Sequence, residues 1–259
     1  KGSITFLNYP NNIQKKNINK INKEPVFLGI FILKGKSWEL IKVLSCDFGE
    51  FINIERESLD VTDSEIVVVV SNISNKFPKI CNLLPKPHSL RVDNSMVAER
   101  VSFEMVFDSS ITSYQSEYPF EITELEKKSF LTFDALKTNN QYNDQIKNFL
   151  ILMNLSRKSE KQNKKFLKFY NPNYENQVLK LNARENALTI IDLNLIKNKL
   201  ITNEIIFISC NNSNFIPLTL SLDINSSNLK LEHTHPPAEM FSGKNRNKLV
   251  SLLKKNWLK

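Results

Sequence analysis

Residues 101–119 read VSFEMVFDSSITSYQSEYP, and this stretch indicates the fold of the chain. Apolar and polar side chains alternate along its first seven residues, a Ser-Ser pair follows, and a second run leads to a proline. Alternation with a period of two is typical of a strand with one buried face, and the polar interruption is typical of a turn. The stretch therefore predicts two antiparallel strands joined by a short turn.

Runs of the same kind recur along the whole chain. Each is short, rich in β-branched or aromatic residues and bounded by polar breaks. They are VFLGIFIL (26–33), SEIVVVVSN (64–72), KKSFLTF (127–133), NFLILMNL (148–155), KKFLKFY (164–170), NEIIFISCN (203–211) and IPLTLSLDI (216–224). Such spacing, with turn residues between the runs, is typical of β-sandwiches rather than of alternating strands and helices. We predict an all-β protein.

The two halves of the chain also resemble each other. The opening stretch aligns without a gap with LTLSLDINSSNLKLEHTHP (218–236), and SEIVVVVSN matches NEIIFISCN in its Glu, its Ile and the apolar run that follows. A looser likeness relates KVLSCDFGEFINIERESL (42–59) to KFLKFYNPNYENQVLKLNAREN (165–186). These matches predict an internal duplication that yields two tandem, related sandwich-like units, each near the size of an immunoglobulin-like domain.

The chain divides accordingly into five predicted segments. They are an N-terminal arm or first strand (1–25), unit 1 (26–136), a polar linker (137–147), unit 2 (148–243) and a C-terminal amphipathic α-helix (244–259). The helix prediction rests on an apolar stripe at helical spacing, formed by Leu249, Leu252, Leu253 and Trp257. The insertion at 186–199 is compatible with a short helix or with another strand.

Composition excludes several classes of function. The five glycines, at 2, 29, 35, 49 and 243, leave no room for a Gly-rich phosphate loop or a dinucleotide fingerprint. The three cysteines have no close-spaced pair, so neither a disulfide framework nor a Cys-x-x-Cys zinc site is expected. The net charge of +8 comes mostly from Lys, and an AT-rich genome would give much of it without any partner, because Lys, Asn and Ile have AT-rich codons. Arg, the better ligand for phosphates and base edges, is scarce, so we expect no nucleic-acid partner.

The stretch EHTHPPAE places His233 and His235 on one face of a strand, with Glu239 after the Pro-Pro bend. Three such ligands and an open position suffice for a catalytic divalent metal. The pattern resembles the first signature of cupin barrels, but the glycine that precedes that signature is missing. The second signature, with its histidine, is absent too, so we do not assign the chain to the cupins. The competing interpretation is that the histidines continue an apolar strand face that Pro236 and Pro237 end.

Two further groups of residues are candidates for binding. Tyr114 and Tyr118 share a face of their strand, and Tyr170 and Tyr174 lie near a Pro turn, as do aromatic residues that stack on sugars; alternatively they pack between sheets. The C-terminal helix carries six basic residues that suit an anionic membrane or an acidic partner, or that simply face water: Lys244, Arg246, Lys248, Lys254, Lys255 and Lys259.

The prediction for function is a non-catalytic binding or assembly module, without a cofactor, whose partner is a glycan or another protein; a homo-oligomer is compatible with this prediction. One alternative is an enzyme with one divalent metal at His233, His235 and Glu239. A second is a polyanion binder that uses the basic arm and the C-terminal helix. No run is long enough for a transmembrane segment, and the stretch KGSITFLNYPNNIQKK (1–16) has no signal-peptide core, so we expect a cytoplasmic protein.

Overall fold

A computed structural model describes residues 1–8, 23–62, 65–86, 101–116, 129–131, 136–137, 145–154, 157–159, 165–171, 174–183, 187–193, 195, 205–211, 216–233 and 239–241. Their regular structure consists almost entirely of strands, with a short 3-10 helix at Arg56–Ser58 and α-helical residues at Leu193 and Leu195. The strands are β1 (Gly2–Leu7), β2 (Val26–Lys34), β3 (Ser37–Cys46), β4 (Phe51–Glu55), β5 (Val67–Asn72), β6 (Ile80–Cys81), β7 (Val101–Phe107), β8 (Ser110–Ser116), β9 (Ser129–Leu131), β10 (Leu136–Lys137), β11 (Ile146–Asn154), β12 (Lys165–Asn171), β13 (Tyr174–Ala183), β14 (Ala187–Asp192), β15 (Ile205–Asn211), β16 (Ile216–Asp223), β17 (Asn228–His233) and β18 (Glu239–Phe241).

The all-β prediction is confirmed. Every run that the sequence analysis identified as a strand contains one, and β7 matches its predicted bounds of 101–107. Part of the insertion at 186–199 forms β14, and Leu193 and Leu195 directly after it are helical, so the insertion contains both a strand and helical residues. The predicted helix at 244–259 lies outside the described residues, as does 9–22 of the predicted arm.

The strands form four antiparallel sheets. Sheet 1 has the order β4-β1-β7-β8, and sheet 2 has the order β5-β2-β3-β6. Sheet 3 has the order β14-β11-β16-β17. Sheet 4 has the order β13-β12-β15-β9-β18, with β10 also paired to β15.

The chain separates into two compact units. Unit 1 comprises Lys1–Met105, Ser113–Tyr118 and Arg157–Lys161. Unit 2 comprises Val106–Thr112, Pro119–Ser156 and Gln162–Lys259. The short segment at 157–161 thus belongs to unit 1, although the sequence around it belongs to unit 2.

Unit 1 has its core between sheets 1 and 2. Phe6 and Ile54 point inward from sheet 1, and Val26, Leu28 and Ile30 meet them from sheet 2 in one buried cluster. These inward positions follow the alternation of each strand. Burial of this apolar surface holds the two sheets face to face.

The opposite face of sheet 2 is covered as well. Gly29 of β2 lies under the ring of Phe77, so close that a Cβ at Gly29 would meet two ring carbons at 2.8 Å. The Phe77 ring packs edge-on against Phe31, with ring centroids 6.0 Å apart. Strand β2 is therefore buried on both faces, which explains why its sequence is almost continuously apolar.

The segment at 157–159 is hydrogen-bonded to the loop that follows β6 of sheet 2. The backbone N–H of Leu84 donates to the carbonyl of Arg157 at 2.9 Å, and the N–H of Ser159 donates to the carbonyl of Asn82 at 2.8 Å. The Arg157 side chain returns a hydrogen bond to the Leu84 carbonyl at 2.8 Å. The segment thus pairs with the loop that follows β6 in the manner of a short added strand.

In unit 2, sheet 3 is built around β11. Its buried Leu150 lies opposite Ile191 of β14 on one side and Thr219 of β16 on the other. Strands β16 and β17 form a hairpin in which Leu220 lies opposite Leu231. The Asp223 carboxylate holds the turn of this hairpin by accepting hydrogen bonds from the Ser226 hydroxyl, at 2.6 Å, and from the Asn225 N–H, at 3.0 Å.

Candidate functional site

The candidate site is the outward face of β1 and β4 in sheet 1. Strand β4 reads FINIE, and its two isoleucines point inward, Ile54 being buried in the core. The alternation therefore directs Phe51, Asn53 and Glu55 outward. An aromatic residue thus occupies an outward position of this strand, where alternation places polar residues.

The register of β1 on β4 brings a second apolar side chain beside the first. Leu7 lies opposite Phe51, and Thr5 lies opposite Asn53. Phe51 is 69% exposed and Leu7 is 38% exposed. Directly opposite residues on one face of an antiparallel pair are in contact range, so the two side chains form one apolar patch. We name Leu7 and Phe51 the apolar pair.

Polar groups continue the face beyond the apolar pair. The Thr5 hydroxyl donates to the Asn53 side-chain oxygen at 3.4 Å, and both groups are exposed enough to exchange this weak bond for one to a ligand. On the other side of β1, Thr5 lies opposite Ser102 and Ser3 lies opposite Glu104. Along the face, the apolar pair is followed by the hydroxyl of Thr5 and the amide of Asn53, and then by the hydroxyl of Ser3 with the carboxylates of Glu55 and Glu104 on either side.

The turn before β4 fixes where the apolar pair lies. Gly49 has φ +84°, a conformation that glycine adopts without steric cost, and the N–H of Glu50 donates to the carbonyl of Asp47 at 3.0 Å. Opposite the turn, Asn8 accepts from the Gly49 N–H at 2.9 Å and donates its own N–H to the Glu50 carbonyl at 3.0 Å. Gly49 and Glu50, just before β4, thus both bond to Asn8, just after β1, in the pattern of a β-bulge with glycine at its first position.

A buried polar side chain supports this turn from beneath. The Asn8 side-chain amide is fully buried and donates to the carbonyl of Cys46 at 2.9 Å and to that of Glu24 at 3.2 Å. The Cys46 thiol donates to the Glu50 carbonyl at 3.3 Å. Asn8 therefore ties three separate parts of the chain together directly behind the apolar pair.

The electrostatic surroundings of the face are acidic. Residues 47–60 carry five carboxylates and a single basic side chain, Arg56, in a chain whose net charge is +8. All five carboxylates are exposed: Asp47, Glu50, Glu55, Glu57 and Asp60. The Arg56 guanidinium donates to the backbone carbonyl of Thr62 at 2.6 Å and to that of Glu65 at 3.2 Å. These hydrogen bonds hold the loop that follows β4. Lys23 lies over the Phe48 ring, with its Nζ 6.0 Å from the centroid.

The thiol behind the site is poorly suited to nucleophilic chemistry. Burial raises the pKa of Cys46, and the nearby carboxylates of Glu50 and Asp47 also favour the neutral thiol. Burial likewise raises the pKa of Cys81. Because the thiolate is the reactive form of cysteine, both groups are held in the less reactive state.

The structure places the residues of the predicted metal site on different elements. His233 ends β17 in sheet 3, and Glu239 begins β18 in sheet 4. His235 lies outside the described residues. Among the residues that are described, no group of three His, Cys, Asp or Glu side chains is arranged to hold a metal ion. The metal site remains a prediction.

The predicted tyrosine and lysine sites fall largely outside the description. The backbones of Tyr114, Tyr170 and Tyr174 lie on β8, β12 and β13, and Tyr170 lies opposite Val178 beside a register shift. Tyr118 and all six basic residues of the predicted C-terminal helix lie outside the described residues. Within the described part of the chain, no helix has the length and apolar character that a membrane span requires.

Sequence reasoning missed the apolar pair. The alternation of FINIE contains the signal, because it assigns both isoleucines to the core and leaves the phenylalanine outside. The partner residue is Leu7, and the register that brings it beside Phe51 becomes visible only in the folded sheet.

Comparison with known protein families, with curated proteins and with solved structures finds no match to this chain.

Proposed function

We propose that the protein is a non-catalytic binding module, and that unit 1 binds another protein through the apolar pair on the outward face of sheet 1. The exposure of Phe51 carries this proposal. A large aromatic side chain exposed beside a second apolar residue and rimmed by polar groups is the usual composition of a protein-binding surface. Aromatic residues also dominate the binding energy of such surfaces.

The surroundings of Phe51 favour a protein over a glycan. Sugar-binding faces combine a stacking ring with polar groups that reach the sugar hydroxyls, and Tyr and Trp suit them because each also carries a hydrogen-bonding group. Phe51 has no such group, and its nearest cross-strand neighbour, Leu7, is aliphatic. Two adjacent apolar side chains are better covered by the apolar side chain of a protein.

The two-unit organisation is also part of the proposal, because we infer that both units descend from one ancestral sandwich. Seven strands of unit 1 correspond, in chain order, to seven strands of unit 2. The pairs are β1 with β11, β2 with β12, β3 with β13, β4 with β14, β5 with β15, β7 with β16 and β8 with β17. Under this correspondence the order β4-β1-β7-β8 becomes β14-β11-β16-β17, and the order β5-β2-β3 becomes β15-β12-β13. Seven strands thus have the same neighbours in both units, which supports the duplication.

Strand order revises the alignment that the sequence suggested. The matches of 64–72 with 203–211 and of 101–119 with 218–236 agree with this correspondence. The looser match of 42–59 with 165–186 does not, because it equates β3 and β4 with β12 and β13, one strand too early. The first repeated strand is β1, which lies within the predicted arm at 1–25. Within the described residues, β6 of unit 1 and β9, β10 and β18 of unit 2 have no counterpart in the other unit.

A selection experiment tests the binding function. A phage-displayed peptide library is selected on the immobilised wild-type protein, and the enriched peptides are measured against two variants. Phe51→Ser should weaken their binding by about tenfold or more, because it removes the central anchor. Ile80→Ser is the matched control, since Ile80 is 66% exposed on β6 of the same unit but lies on sheet 2. Equal binding to all three proteins would refute the proposed surface.

A further inference from the structure

We propose that the partner binds by adding a strand to the outer edge of β4, and that the added strand is a basic, extended segment of another protein. The inference rests on the proposed function, since it specifies how the surface at Phe51 is occupied. Strand addition is a recurrent mode of peptide recognition, in which backbone hydrogen bonds supply affinity and side-chain pockets supply specificity.

Strand β4 has an edge to which a strand can be added. It pairs with β1 on one side, and no strand of the described residues pairs with it on the other. A strand edge of this kind presents a row of backbone N–H and C=O groups that can pair with another chain.

The bulge at Gly49 determines which residues present that row. Asn8 donates its N–H to the carbonyl of Glu50, so the backbone of Glu50 points toward β1. In an antiparallel pair, residues that bond to the neighbouring strand alternate with residues whose N–H and C=O point away. Residues 52 and 54 therefore bond to β1, and Phe51, Asn53 and Glu55 direct their backbone groups to the outer edge.

The side chain and the backbone of Phe51 would thus both contact the added strand, the ring through its apolar surface and the backbone through hydrogen bonds. An added strand would lie about 4.8 Å from β4, and its side chains on the outward face would contact the Phe51 ring. At the far end, the Glu55 carbonyl already accepts the Ser58 hydroxyl at 2.7 Å, which limits the accessible row to Phe51, Asn53 and the N–H of Glu55. The occupant is accordingly short and extended.

Charge selects a basic occupant. Exposed carboxylates lie at both ends of the row, with Asp47 and Glu50 before it and Glu55, Glu57 and Asp60 after it. A segment with an apolar residue opposite Phe51 and with Lys or Arg toward its two ends would cover Phe51 and meet the carboxylates at both ends of the row. Antiparallel pairing with β4 of a second copy would instead bring these two acidic ends together, and like charges in register are destabilising.

The test uses a short capped peptide with valines at its centre and lysines at both ends, and its affinity is measured by fluorescence anisotropy. Asn53→Pro removes the outward N–H, and proline is tolerated on edge strands whose N–H faces solvent. Asn53→Ala is the matched control, because it removes the side chain and keeps the N–H. We expect Asn53→Pro to bind the peptide about tenfold more weakly than Asn53→Ala does, because the two variants differ in the backbone donor and both lack the amide side chain. N-methylation of alternate peptide amides should weaken binding to a similar extent.

The outcomes separate this inference from the proposed function. If Phe51→Ser weakens binding but Asn53→Pro and N-methylation do not, the surface stands and strand addition is wrong. No binding of the lysine–valine peptide, or equal binding of a glutamate–valine peptide, would overturn the basic occupant. Self-association of the wild type that Asn53→Pro abolishes would identify a second copy as the occupant and overturn the inference of a different protein. Thermal unfolding of Asn53→Pro establishes that the variant is folded.

Discussion

The indole N–H of Trp38 donates a hydrogen bond to the backbone carbonyl of Arg157 at 3.0 Å, although the two residues are 119 positions apart in the chain. The same carbonyl accepts the N–H of Leu84. The Trp38 side chain is fully buried. One indole therefore anchors both the segment at 157–159 and the loop after β6 to sheet 2.

Replacement of Trp38 by phenylalanine should destabilise the protein by about 1–3 kcal/mol, because it removes the donor and leaves a small cavity. The measurement is the free energy of unfolding from urea titration. Lys42→Ala on the same strand is the control, since Lys42 is exposed and its removal should cost less than about 0.5 kcal/mol. Similar values for the two variants would show that the indole does not anchor the segment.

Asn8→Ala should also be destabilising, by about 1–3 kcal/mol, because the carbonyls of Cys46 and Glu24 would lose a buried donor. Asn8→Asp should be at least as harmful, since a carboxylate would face two carbonyl oxygens in a buried position. Asn53→Ala provides the exposed comparison and should change the free energy of unfolding by less than about 0.5 kcal/mol. If both Asn8 variants unfold like the wild type, Asn8 does not hold the turn.

Gly29→Ala should cost about 1–3 kcal/mol, since the new methyl group would lie 2.8 Å from two ring carbons of Phe77 and would displace the ring. The double variant Gly29→Ala/Phe77→Ala removes this clash. Its loss of stability should therefore fall short of the sum of the two single losses by more than about 0.5 kcal/mol. Additive losses in urea titrations would mean that the ring of Phe77 does not cover Gly29.

Acid should weaken the loop that follows β4. The pKa of the Glu65 carboxyl is lowered, first because the Thr62 N–H donates to it at 2.6 Å and also because the Thr62 hydroxyl lies at 3.2 Å. A lowered folded-state pKa stabilises the fold at pH values above the unfolded-state pKa of about 4.3, and this contribution disappears as the pH falls through the folded-state value. The stability difference between the wild type and Glu65→Gln should therefore shrink on acidification from neutral pH to about pH 3. A difference that stays constant would contradict the assignment.

The class of the fold was predictable because its signals are local. Val67–Asn72 and Ile216–Asp223 are runs of β-branched and aliphatic residues between polar breaks, and the predicted and observed strands agree closely there. Strand β1 was harder to predict, since a short run such as SITFL has little periodicity of its own. It is a central strand because it pairs with strands about fifty and one hundred residues further along the chain. Pairing at such distances cannot be predicted from a single sequence.

The candidate site was less predictable than the fold. The sequence analysis selected histidines, tyrosines and lysines because their side chains bind metals, sugars and anions. Most of the selected side chains lie outside the described residues. Phe51 is one of 17 phenylalanines, and most residues of this kind are buried. What distinguishes it is its phase within β4 together with its register against Leu7, and the second of these requires the folded sheet.

The central position of β1 in sheet 1 also constrains how the chain can fold during synthesis. Ser3 pairs with Glu55 on one side and with Glu104 on the other. Strand β1 therefore emerges from the ribosome well before either flanking strand, and its second edge stays unsatisfied until about one hundred further residues have been translated. Sheet 1 closes late, and until then the apolar face of β1, with Ile4 and Phe6, is exposed to chaperones and to other nascent chains.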